Sequence, residues 1–159
     1  MADLVGARRR SAAPRRLTVP AEGVLRRIAA FLAAFGAGVA AYIAIAEADG
    51  GAPACLAGSG GCETVAASSH SELAGISVAL IGVFGYALLL VTALLRGDGA
   101  RMAGFGLGLV GFGYTVYLTY LELFVIDAIC QWCIVSAVLM VALFAVNAVR
   151  MLRYVGTPA

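Results

Sequence analysis

Four stretches of this sequence run for roughly 20 residues without a charge: 28–46, 75–95, 102–121 and 128–149. Nothing else in the chain constrains its fold as strongly. About 20 apolar residues is what an α-helix needs to cross the ~30 Å hydrocarbon core of a bilayer. Lipid offers no hydrogen bonds to a peptide backbone, so runs of this length must satisfy themselves as helices. The composition agrees. Hydrophobic residues make up 62% and charged residues 13% of the 159-residue chain, against about 45–50% and about 25% in soluble domains. A soluble chain this apolar could not cover its surface with polar groups. The expected fold is an all-α integral membrane protein, a four-transmembrane-helix bundle in one domain.

Every basic side chain other than His70 is an arginine. Arg8, Arg9, Arg10, Arg15, Arg16, Arg26 and Arg27 precede the first run. Arg96 and Arg101 separate the second from the third, and Arg150 and Arg153 follow the fourth. The loop after run one and the link after run three hold Glu47, Asp49, Glu63, Glu72, Glu122 and Asp127 and no arginine. The positive-inside rule puts both termini and the 96–101 loop in the cytoplasm. Residues 1–20 read as a disordered basic tail near the anionic membrane surface, 21–153 as the membrane domain and 154–159 as a short cytoplasmic tail. The basic start, apolar stretch and Ala44-Ile45-Ala46 also outline a cleavable signal peptide. That apolar stretch exceeds the usual ~7–15 residues of a signal core, so a retained span is expected.

All four cysteines then fall on the extracytoplasmic side, where thiols can persist as disulfides. Cys130-Gln131-Trp132-Cys133 is a C-x-x-C at the outer start of the last span. Residues three apart share a helix face, and a helix N-terminus favours the thiolate that carries disulfide exchange. Cys55 and Cys62 enclose Gly58, Gly60 and Gly61, which leave the loop free to bend. A flexible cysteine pair beside a helix-mounted one is the minimum apparatus for relaying two electrons. Two bland alternatives stand beside it. One is a zinc site completed by Cys55, Cys62 and His70; the other is a pair of inert structural disulfides. After Cys62, Ser69-His70-Ser71-Glu72 fits a capping box, from which a short surface helix across the bundle mouth is expected.

Other features weigh less. Gly106-Leu107-Gly108-Leu109-Val110-Gly111 matches a dinucleotide fingerprint, but inside a span it serves close helix packing. Tyr114, Tyr117 and Tyr120 suit interfacial anchoring. Trp132 reads as an interface or packing residue and His70 as a solvated loop histidine. Glu122 and Asp127 flank the C-x-x-C, where a carboxylate can relay protons.

The order of these features resembles the vitamin K epoxide reductase family, its bacterial branch in particular. The matching pieces are the loop cysteines, Val65 and Ser68 placed three and six residues after Cys62, Gly75-Ile76 opening a span, Tyr117-Leu118-Thr119-Tyr120-Leu121-Glu122, and Cys130-x-x-Cys133. The resemblance covers the chain from about Ala21 onward. Ser77 departs from the proline that often follows Gly-Ile, and the thioredoxin-like domain fused to many bacterial members is not expected here. The resemblance implies a helical bundle around a quinone, menaquinone or ubiquinone, with no metal. It implies that Cys55 pairs with Cys62 and meets the thiols of a thioredoxin-fold partner in trans. Cys130 would exchange with Cys62, and Cys133 would act on the quinone. Ser68 would lie near the relay, and Tyr117 and Tyr120 near the quinone. No nucleic-acid partner is expected. The unrelated DsbB-type disulfide catalysts place their C-x-x-C in the first outer loop, whereas here it comes last. A thiol-based metal transporter should carry cysteines on the cytoplasmic side, where this sequence has none.

Overall fold

The computed structural model describes residues 22–55 and 60–156. The basic tail, the middle of the Cys55 loop and residues 157–159 lie outside the described residues. Four long helices dominate: α1 Glu22–Ala48, α3 Val78–Leu94, α4 Asp98–Phe124 and α5 Gln131–Val155. A six-residue helix, α2 Gly61–Ala66, and a minimal hairpin, β1 Glu72–Leu73 with β2 Ile76–Ser77, lie between α1 and α3. The long helices close a ring in which α1 packs on α3, α3 on α4, α4 on α5 and α5 on α1. This is a membrane helical bundle. Its outward faces carry large apolar side chains such as Phe31, Phe84, Val110, Phe124 and Leu152, all well exposed.

Small residues set how closely the helices approach. Ala29, Ala33, Gly36 and Ala40 form the buried stripe of α1. With no hydrophobic force between helices in lipid, such stripes let backbones approach for dispersion contact. A side-chain carbon at Gly36 would collide with the Tyr86 ring of α3. The ring passes that gap, and its hydroxyl lies 2.8 Å from the Ser136 carbonyl and 3.0 Å from its hydroxyl. One tyrosine thereby ties α3 to α5 through the core formed with Leu89, Met140 and Leu143.

The helix boundaries differ from the sequence reading, most tellingly at three places. The second helix starts at Val78 rather than at 75, because Ala74 and Gly75 both take positive φ, 54° and 79°. Positive φ at both central residues is what a two-residue I′ hairpin turn requires. The hairpin pairs Glu72 with Ser77 and Leu73 with Ile76. It occupies the place where a surface helix was expected from Ser69; the short helix forms upstream and carries Cys62. Ser77 then caps α3, its hydroxyl accepting from the Ala79 N–H at 3.1 Å and donating to Glu47. The third helix is longer than expected and takes Glu122 inside. The fourth starts at Gln131, not at 128, because Cys130 is extended (φ −91°, ψ 118°).

Length sorts the helices too. α1, α4 and α5 are long and apolar enough to cross a membrane, whereas α3 has 17 residues. At 1.5 Å per residue that is about 26 Å, a little short of the hydrocarbon core.

Candidate functional site

The cysteines converge at one end of the bundle. Cys55 and Cys62 form a disulfide with Cα atoms 6.0 Å apart. Cys130 and Cys133 are free thiols. Cys62 and Cys130 are 1% and 2% exposed, so one sulfur of each pair is shielded from solvent. The approach of the pairs is enforced at Gly61, where any side-chain carbon would collide with the Ile129 carbonyl, one residue before Cys130. Only glycine lets α2 lie flat against the C-x-x-C segment.

The strand leading to Cys55 is held just as specifically. The Ala54 N–H donates to the Tyr42 hydroxyl at 3.0 Å, and the Trp132 indole N–H donates to the Ala54 carbonyl at 2.9 Å. The two rings meet at 5.0 Å between centroids. Trp132, read from the sequence as packing, thus clasps the residue beside Cys55 while sitting between the two cysteines of the helix pair.

Local electrostatics differ for the two thiols of α5. Cys130 precedes the helix as its N-cap. The hydrogen bond from the Cys133 side chain is the largest influence and holds the Cys130 thiol below its ordinary value, to about 7, against the opposing effect of burial. The backbone N–H groups of Cys133 and Trp132 act in the same direction, as a helix start should. Cys133 sits one turn in, with its side chain hydrogen-bonded to Glu122 of α4. Glu122 is 8% exposed and also accepts the Cys130 N–H at 3.4 Å.

Cys133, Glu122 and Ser136 open onto a cavity of about 370 Å³ walled mainly by apolar side chains of α3, α4 and α5. Ligand pockets are typically about 300–1,000 Å³ and lined mainly by apolar side chains with a few polar groups, as this cavity is. Ser68 and Val65 line its mouth, with the Ser68 hydroxyl donating to the Val65 carbonyl at 2.7 Å. His70 also borders it and is otherwise exposed. Tyr114 lines the cavity, whereas Tyr117 and Tyr120 do not; they are about half exposed, at 52% and 55%. The helical repeat of 3.6 explains the split, since residues spaced by three drift around the helix and share no single face for long. Tyr120 instead stacks on Phe124 at 5.2 Å. Of the two carboxylates flagged beside the C-x-x-C, Asp127 is exposed in the link at φ 53°.

Ser136, Tyr86 and Met140 were not singled out from the sequence. Cys133, Ser136, Ala137 and Met140 do repeat at three- and four-residue steps, so a face shared with Cys133 was there to be read. Among the described residues, no group of three or more His, Cys, Asp or Glu side chains is arranged to hold a metal ion. A model of the Vitamin K epoxide reductase family matches residues 27–148, a stretch that holds all four cysteines and the greater part of the four long helices.

Proposed function

This chain belongs to the vitamin K epoxide reductase family, and from that membership we infer a membrane thiol–quinone oxidoreductase in which electrons follow the order of the four sulfurs. A dithiol partner of the thioredoxin fold reduces the Cys55–Cys62 bridge: one of its thiols attacks Cys55, and its second thiol then displaces Cys55 and closes the partner's own disulfide. Cys62, released as a thiolate, attacks Cys130 and breaks the Cys130–Cys133 bond. Resolution of that mixed disulfide by Cys55 restores the loop bridge and leaves Cys130 and Cys133 as thiols. Those thiols give two electrons and two protons to a quinone in the cavity and close to a disulfide again. The partner leaves oxidised and the quinone leaves as quinol.

The observation that supports this reading is the placement of Cys133 on the wall of an apolar cavity while Gly61, next to Cys62, packs on the carbonyl of Ile129, next to Cys130. The cysteine end is assigned to the extracytoplasmic side and both termini to the cytoplasm. The arginine distribution supports this: Arg101 and Arg150 cluster with Glu22 at the other end of the bundle.

The test uses purified protein, a reduced thioredoxin-fold partner, a small dithiol and several quinones. Cys133→Ala should abolish quinone reduction with either reductant. Cys55→Ala should lose turnover with the protein partner and keep it with the small dithiol. Normal turnover in Cys133→Ala, or no thiol loss with any quinone in the unaltered protein, overturns the reading.

A further inference from the structure

Reducing a quinone with two thiols moves two protons as well as two electrons, and the protons need a route from sulfur to oxygen. Two carboxylates, Glu47 and Glu122, line the cavity, and among the described residues Glu122 is the one that also borders both cysteines of the C-x-x-C. It sits in the last turn of α4, almost fully buried. Among the described residues no arginine pairs with it, and its polar neighbours are the Cys130 N–H and the Cys133 side chain. A carboxylate buried without a cation is costly to keep unless it is used or fully hydrogen-bonded, and the 3.4 Å contact from Cys130 is a long one.

We propose that Glu122 is a catalytic acid–base residue that takes the proton of the Cys133 thiol and delivers it to an oxygen of the quinone in the cavity. The proposal rests on the thiol–quinone reading. The balance is complete. Cys133 gives its proton to Glu122, the Cys130–Cys133 bond forms, and two electrons reach the quinone. The quinone takes one proton from Glu122 and one originating on the Cys130 thiol. Glu122 returns to its starting ionisation state, and no further oxidant or reductant enters.

Glu122→Gln keeps the size of the side chain and its ability to accept the Cys130 N–H, and removes the transferable proton. With a small dithiol and quinone it should lower kcat about a hundredfold, within the range for a lost general acid–base, at unchanged quinone KM. Glu122→Asp should recover part of the rate. A second readout needs no quinone: when a small disulfide oxidises the reduced Cys130–Cys133 pair, closing that bond also requires the Cys133 proton to leave, so Glu122→Gln should slow this oxidation about tenfold or more. A Glu122→Gln protein within threefold of the parent rate and with the parent pH profile overturns the proposal, as does an unaltered rate of oxidation by the small disulfide. If the parent protein itself reduces no quinone, the thiol–quinone reading fails, while the small-disulfide comparison still decides whether Glu122 takes the Cys133 proton.

Discussion

Ala54 contributes no side-chain chemistry, yet both of its backbone groups are taken by aromatic side chains from other elements, Tyr42 of α1 and Trp132 of α5. Cys55 therefore leaves a fixed point. Trp132→Phe keeps the ring and loses the N–H. A net hydrogen bond of about 0.5–1.5 kcal/mol then disappears from the arrangement that holds the loop pair in place. Exchange between the loop pair and the helix pair, followed by rapid-mixing thiol trapping, should slow by about two- to tenfold, with quinone reduction by a small dithiol unchanged. Cys130 offers a second prediction. Its value is lowered to about 7 chiefly by the Cys133 side chain. Its thiolate therefore accumulates as pH rises through about 7, and the ultraviolet thiolate absorbance of the reduced protein should fall off about tenfold per unit below that point. Cys133→Ala should move the inflection upward toward the ordinary thiol value, whereas Cys133→Ser, which keeps a hydroxyl donor, should leave it low. Equal inflections in the two variants would rule out the hydrogen bond as the cause.

At the level of elements, α2 is placed by a single absent methyl group. Gly61→Ala forces α2 away from the Ile129 carbonyl, and overpacking of this kind costs about 1–3 kcal/mol. Partner-driven turnover should drop about tenfold or more while turnover with a small dithiol is retained, because only the relay is disturbed. Much of this level was legible in the sequence. Charge-free runs expose spanning helices because lipid penalises every unpaired peptide group and every charge. Helix ends were less legible. Ala128, Ile129 and Cys130 suit a helix as well as an extended segment, and their extended course depends on the long-range contact with α2. The I′ turn at Ala74 and Gly75 hid because alanine seldom takes positive φ. Glu122 reads as a link residue because it is charged; its burial follows from the cysteines, which come together only in the folded bundle. That Tyr114 lines the cavity while Tyr117 and Tyr120 do not depends on the helix phase, which the facing helices fix.

Across the whole molecule, the end remote from the cysteines is closed by one polar cluster. Arg150 is 2% exposed and donates to Glu22 at 3.0 Å and to Asn147 at 3.1 Å. Arg101 reaches Glu22 at 3.5 Å and Asp98 at 2.7 Å. Arg150→Met keeps most of the volume, takes the nearer of two arginines from Glu22 and leaves the Asn147 side-chain oxygen without its donor. Because the Glu22 side chain is 34% exposed, water recovers part of the loss, and the expected destabilisation is about 1–3 kcal/mol. A thermal melt in detergent should show it as a lower midpoint, with the rate per folded molecule unchanged; an unshifted midpoint would mean that the cluster contributes nothing net. Glu22 and Arg150 lie 128 positions apart, at the start of the first helix and in the last turns of the final one. During synthesis Glu22 can meet Arg101 once α4 is in place, but it cannot meet Arg150 until nearly the whole bundle has emerged. The tighter of the two ion pairs therefore closes last, only on a chain whose final helix has packed against the first.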